Sequence, residues 1–161
     1  MSKTQFVYMA VIAAPPEKVW KCLTSPEFTR QYWHSTEVRS DFKKGSPIEF
    51  LTQDGEVGVR GEVLEADFPA RLSYTWRFTR DPATTDDPPS RVSFELQALS
   101  VGTRLTVVHD QLAEGCKTAE LVSFGWPHVI GGLKTLAETG RAVDFSAAEA
   151  VDCPGQQAAS A

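Results

Sequence analysis

A chain of 161 residues has the length of one domain and can bury a core without disulfide or metal staples. With 42% hydrophobic and 10% aromatic residues, and no apolar run near the roughly 18 residues of a membrane span, it does not read as a helical membrane protein. Its 16 basic and 21 acidic residues leave a net charge of −5, and the basic ones are scattered apart from Lys43-Lys44, so neither nucleic acid nor an anionic membrane surface is an expected partner.

The first residues carry no signal-peptide cleavage pattern, which predicts a cytoplasmic protein. Residues 4–13 are rich in β-branched and aromatic side chains and stop at Ala14-Pro15-Pro16, which predicts a first strand. Pro15-Pro16-Glu17 then opens a short helix with Val19, Trp20 and Leu23 on one face. Ser25-Pro26-Glu27 opens a second, carrying Phe28, Tyr32 and Trp33.

From Glu37 onward the period changes to two, and the runs 47–52, 57–66 and 71–78 are separated by Gln53-Asp54-Gly55 and Asp67-Phe68-Pro69. Leu72, Tyr74, Trp76 and Phe78 are expected to face the core, with Arg71, Ser73, Thr75 and Arg77 toward water. Residues 80–90 form a polar, proline-rich loop. Beyond it Val92, Phe94, Leu96 and Ala98 point inward, and a turn at Ser100-Val101-Gly102 leads to a strand with Leu105, Val107 and His109 on one face.

The longest periodic segment, Thr118–Thr139, predicts a C-terminal helix. Val122, Trp126, Val129, Leu133, Leu136 and Ala137 share one arc, with Ile130 at its edge, and Gly131 points away from it. Pro127 removes a backbone donor, and Gly131-Gly132 cost about 2 kcal/mol of helix propensity relative to alanine. Two readings follow. Either Ser123 caps a helix that starts near Gly125, or Gly125 and Gly132, seven apart and flanking the apolar face, leave a gap between helix and sheet with room for a ligand. Residues 143–161 lack a periodic apolar face and read as a low-complexity tail behind a domain of residues 1–142.

Strand, two short helices, about six antiparallel strands and a long helix make an α+β layout in which a curved sheet wraps one helix. Ala14-Pro15-Pro16-Glu17-Lys18-Val19-Trp20, Leu23-Thr24-Ser25-Pro26-Glu27, Tyr32-Trp33, Gly61-Glu62-Val63-Leu64-Glu65, Arg71-Leu72-Ser73-Tyr74-Thr75-Trp76, Gly102-Thr103-Arg104-Leu105-Thr106 and Gly125-Trp126 carry a resemblance. Together, over about residues 4–140, they resemble the AHSA1 family, the Hsp90-ATPase-activator-like branch of the START/Bet v 1-like superfamily. The resemblance implies a helix-grip fold of about seven strands, with a cavity between sheet and C-terminal helix that holds a lipid-like or aromatic molecule.

The residues expected to line that cavity are Trp33, Arg60, Glu62, Tyr74, Trp76, His109, Trp126, Val129, Ile130, Gly132 and Leu133. His109 also carries a weaker catalytic reading, an imidazole facing the cavity beside Asp110. Gly-x-Ser-x-Gly, P-loop, Gly-x-Gly-x-x-Gly and HExxH patterns are absent, and the three histidines are dispersed, so no catalytic motif, cofactor or metal site is expected. The three cysteines have no CxxC spacing and read as reduced thiols. The leading reading is a small-molecule binding module. A cyclase- or hydrolase-type enzyme of the same superfamily is the second and a chaperone-linked interaction protein the third, and a homodimer stays open.

Overall fold

The structure is a computed structural model that describes residues 3–145. Strand β1 (Lys3–Ile12) is followed by helices α1 (Pro16–Thr24) and α2 (Pro26–Tyr32). Strands β2 (Glu37–Ser40), β3 (Pro47–Leu51), β4 (Val57–Asp67), β5 (Arg71–Phe78), β6 (Ser90–Leu99) and β7 (Gly102–Ala113) come next, before helix α3 (Lys117–Thr139). All neighbouring strands pair antiparallel in one seven-stranded sheet of order β1-β7-β6-β5-β4-β3-β2, with α3 across its inner face. This is the helix-grip arrangement.

Pro16 and Pro26 stand in the first turns of α1 and α2, where a missing N–H costs no helical bond. Val19 and Leu23 of α1, with Tyr32 of α2, are fully buried. The alternation of β5 holds for Leu72, Tyr74 and Trp76. Ser73, expected to face water, is buried instead, because its hydroxyl meets that of Ser93 at 2.9 Å across the β5–β6 pair. Ala98, expected inward, is exposed: it lies two residues from the Ser100–Val101 turn, past the end of the core.

Helix α3 runs unbroken through Pro127, which removes the start near Gly125 as a reading. Its first-turn donors are met further upstream. Cys116 Sγ accepts from Ala119 N at 3.4 Å, and the Asp87 carboxylate accepts from both Thr118 N and Thr118 Oγ1 at 2.8 Å. Ser123, which sequence offered as a cap, instead donates its hydroxyl to Ala119 O at 2.7 Å inside the helix. Gly140 closes α3 in the left-handed conformation, φ 74°, with its N–H on Leu136 O.

After Gly140 the chain turns back along α3. A Cβ built on Gly131 would lie 3.4 Å from Phe145 Cδ2, and one on Gly132 would lie 2.8 Å from Val143 O. Gly131 therefore faces the Phe145 ring rather than open solvent. In the stretch from residue 143 the Val143 carbonyl and the edge of the exposed Phe145 ring lie against the helix, and the rest of the expected tail, 146–161, lies outside the described residues. Removing residues 143–161 should lower the melting temperature by about 2–4 °C more than removing 146–161 alone, corresponding to roughly 1 kcal/mol of apolar burial. Equal melting curves for the two truncations would show that Val143 and Phe145 contribute nothing.

Candidate functional site: a cavity under the long helix

The α2–β2 turn supplies one wall of a cavity of about 240 Å³ through Trp33, His34 and Thr36. Strands β3 to β5 supply Phe50, Gly58, Val59, Trp76 and Phe78. The N-terminal half of α3 supplies Leu121, Val122, Gly125, Trp126 and Val129, the residues that a 3.6-residue period brings to its sheet side. The wall is a connected aromatic cluster. Ring centroids of Trp33 lie 4.7 Å from Phe50 and 5.5 Å from Trp126, and Trp76 lies 5.6 Å from Trp126, distances at which aromatic pairs attract.

Behind this wall His109, fully buried on β7, orders the indole of Trp126. Trp126 Nε1–H donates to His109 Nδ1 at 3.0 Å, and His109 Nε2 lies 2.7 Å from Ser90 Oγ. An indole nitrogen only donates, so Nδ1 must carry the lone pair and Nε2 the proton, which goes to Ser90. Burial pushes the His109 pKa down to about 4, while the neighbouring Asp110 charge pulls it the other way. The imidazole is therefore neutral at pH 7, with both nitrogens engaged.

The catalytic reading of His109 beside Asp110 fails on geometry. Successive residues of a strand face opposite sides, and the Asp110 carboxylate is on the outside, where Arg91 Nε reaches Oδ1 at 2.8 Å in a two-pronged pair. That hydrogen bond, more than the guanidinium charge, holds the Asp110 carboxyl below its ordinary range.

Of the residues expected to line the cavity, Trp33, Trp76, Trp126 and Val129 do so. Arg60 lies on the outer side, 3.1 Å from Glu49, and Glu62 is exposed, its backbone N–H donating to Thr75 Oγ1. Tyr74 packs one layer away against Phe50 and Phe94, and His109 stands behind Trp126. Ile130, Gly132 and Leu133 are buried further along α3, beyond the cavity. Gly132 is a packing glycine: a Cβ there would stand 2.8 Å from Tyr32 Cβ. Sequence reasoning missed His34, Thr36, Phe50, Gly58, Val59, Phe78, Leu121 and Val122 as lining residues, although it put Phe78 and Val122 on core-facing sides. Phe50 and Val59 stand opposite each other in the β3–β4 register, and the period-two alternation of their runs is the sequence signal that could have placed them on the core side.

Polar groups in the wall are mostly used internally. Thr36 Oγ1 donates to Trp33 O at 2.6 Å, while Trp76 Nε1 is buried without an acceptor among the described residues. Among the described residues there is also no group of three potential metal ligands and no helix long and apolar enough to cross a membrane.

Residues 13–138 match the family described as activator of Hsp90 ATPase homolog 1-like protein. The chain belongs to that family. No curated protein matches the sequence. Among solved structures, protein MLL2253 from Mesorhizobium loti is 28% identical, with a TM-score of 0.69 over 83% of this chain and 96% of that one. The Aha1 dimer from Colwellia psychrerythraea is 17% identical, TM-score 0.69, over 86% and 98% of the two chains. PFC0360w, an HSP90 activator from Plasmodium falciparum, is 17% identical, TM-score 0.67, over 82% and 94%. At those identities the last two show a shared fold.

Proposed function

We propose that this family member is a binding module for a compact, largely apolar molecule held between α3 and the sheet. The observation that carries this reading is a cavity of about 240 Å³ walled by three indoles and two phenylalanine rings. Its volume favours a one- or two-ring molecule over an extended acyl chain: an engineered cavity of roughly 150 Å³ takes benzene, while drug-sized pockets begin near about 300 Å³. The enzyme reading is weakened by the same geometry. The buried imidazole has no free nitrogen and the adjacent carboxylate faces outward.

Native mass spectrometry of protein purified from its own host is the test. A co-purifying aromatic mass, released on denaturation, is expected; its chemical conversion by the protein would favour the enzyme reading. Repeated recovery of empty protein that also shows no binding to aromatic compounds by equilibrium dialysis would sink the proposal. An Hsp90-type chaperone partner is the second reading, favoured by the family description and by the P. falciparum HSP90 activator of the same fold, and a pull-down with purified Hsp90 tests it. Self-association is favoured by the dimer of the C. psychrerythraea protein, and sedimentation velocity tests it.

A further inference from the structure

The cavity is mostly apolar: in its wall the Thr36 hydroxyl is used by Trp33 O, Trp76 Nε1 is buried without an acceptor among the described residues, and His34 is the polar side chain that reaches solvent. At its mouth His34 makes no hydrogen bond among the described residues, and its Nε2 lies 4.0 Å from where a Cβ on Gly125 would stand. Nothing else comes within 4 Å of that Cβ. Packing therefore does not require glycine at position 125, although glycine in a helix interior costs about 1 kcal/mol relative to alanine. The contrast is with Gly132, where a Cβ would meet Tyr32 and Val143 at 2.8 Å. What Gly125 does is keep the space in front of His34 open.

The backbone under His34 is also unusual. His34 and Ser35 both hold left-handed angles, φ 50° and 57°, a conformation costly for residues with a Cβ, and one that gathers at ligand-binding sites. The turn is clamped on both sides, by Thr36 N on Trp33 O at 2.9 Å and by Val38 N on Thr29 Oγ1 at 3.1 Å. His34 thus sits on a fixed mount between the aromatic cavity and solvent.

Its surroundings select the chemistry. His34 keeps one flank in solvent, and the protein packed against the other lowers its pKa; the Asp144 carboxylate opposes that shift and His128 adds to it. At pH 7 the ring is neutral, offering one N–H donor and one lone-pair acceptor. A carboxylate ligand would gain no ion pair from a neutral ring and would give up its hydration to a largely apolar wall. A neutral hydroxyl can use either nitrogen.

We infer that the preferred ligand is a hydroxylated one- or two-ring aromatic, its rings among Trp33, Trp76 and Trp126 and its hydroxyl at His34. This rests on the binding reading above and specifies the polar group that reading leaves undefined.

Equilibrium dialysis of the full chain at pH 7.5 against naphthalene, 2-naphthol and 2-naphthoate tests it, with His34→Ala and Gly125→Leu proteins alongside. The parent should bind 2-naphthol about fivefold more tightly than naphthalene, the size of one hydrogen bond between neutral partners, and 2-naphthoate more weakly than 2-naphthol. In His34→Ala the ratio of naphthol to naphthalene affinity should fall to near one. Gly125→Leu fills the mouth and should weaken all three by more than about tenfold. If naphthalene and 2-naphthol bind the parent alike, or the preference survives His34→Ala, the hydroxyl inference is wrong while the cavity reading stands. If none of the three binds, or Gly125→Leu leaves their affinities unchanged, both fall together.

Discussion

Gly132→Val should destabilise the protein by about 3 kcal/mol, the upper end of typical overpacking costs, and lower its melting temperature by roughly 6–12 °C. The reason is a close approach of two helices. The Cβ of any residue at 132 would stand 2.8 Å from Tyr32 Cβ on α2 and 2.8 Å from Val143 O. One of these neighbours is backbone and the other the first atom of a fully buried side chain, whose hydroxyl is fixed by donating to Cys22 O at 2.6 Å. Neither can yield without moving α2 or the returning chain. Gly131→Ala, one residue away, should do the opposite. Its Cβ makes an ordinary contact of 3.4 Å with the edge of Phe145, so losing glycine's entropy in the unfolded chain should stabilise by about 0.5–1 kcal/mol. Thermal melts of the two variants decide it. Equal destabilisation by both would mean that the helix is broken at this point and the close approach to Tyr32 does not exist.

Those adjacent glycines also show where sequence reasoning reached its limit. The helical wheel placed Gly132 beside the buried arc and Gly131 away from it, because a 3.6-residue period is local and survives any tertiary arrangement. It could not say that α2, rather than an empty cavity, lies opposite Gly132. That depends on the level at which α2 crosses α3, which no local pattern encodes. The same limit explains the rest of the site. Trp33, Trp76, Trp126 and Val129 were found because aromatic and apolar positions on the correct faces of known elements converge there. Arg60 and Glu62 were placed on the wrong face although β4 alternates regularly there: Val59 and Val63 are buried, so the period of two puts Arg60 and Glu62 outside, and the slips in pairing lie to either side of this stretch. His34 was invisible because its placement comes from two consecutive left-handed residues, neither of them glycine, in a turn without a sequence signal. The fold was readable because strand alternation, proline-opened helices and the long periodic arc all agreed on one layout.

Acid should weaken the fold between pH 6.5 and pH 4, with His109 contributing about 3 kcal/mol of the loss. Its imidazole is buried, neutral and bonded at both nitrogens, with a pKa lowered from 6.5 to about 4 by desolvation, against the pull of Asp110. Above pH 6.5 the side chain is neutral whether the chain is folded or not, and it adds no pH dependence. As pH falls through 6.5 the unfolded chain takes up a proton that the folded chain refuses until about pH 4, so stability declines across that window and then levels. His34, whose pKa is also lowered, acts in the same direction. Asp110 and Glu138, held below their ordinary range by hydrogen bonds from Arg91 and Lys134, lose their contributions as pH drops below their unfolded values of 3.8 and 4.5, so Glu138 enters at the acid end of the window and Asp110 below it. The window between 4 and 6.5 therefore belongs mainly to the buried histidine. His109→Asn isolates it, because an asparagine Oδ1 sits near the Nδ1 position and can still accept from Trp126 Nε1 without titrating. Urea unfolding at half-unit pH steps should give a parent whose stability falls across this range and a His109→Asn protein whose curve falls much less, by what His34 and Glu138 leave. Parallel curves for the two proteins would mean that the imidazole is protonated within the fold, and the tautomer assigned to it, with Nδ1 accepting from Trp126, could not be correct.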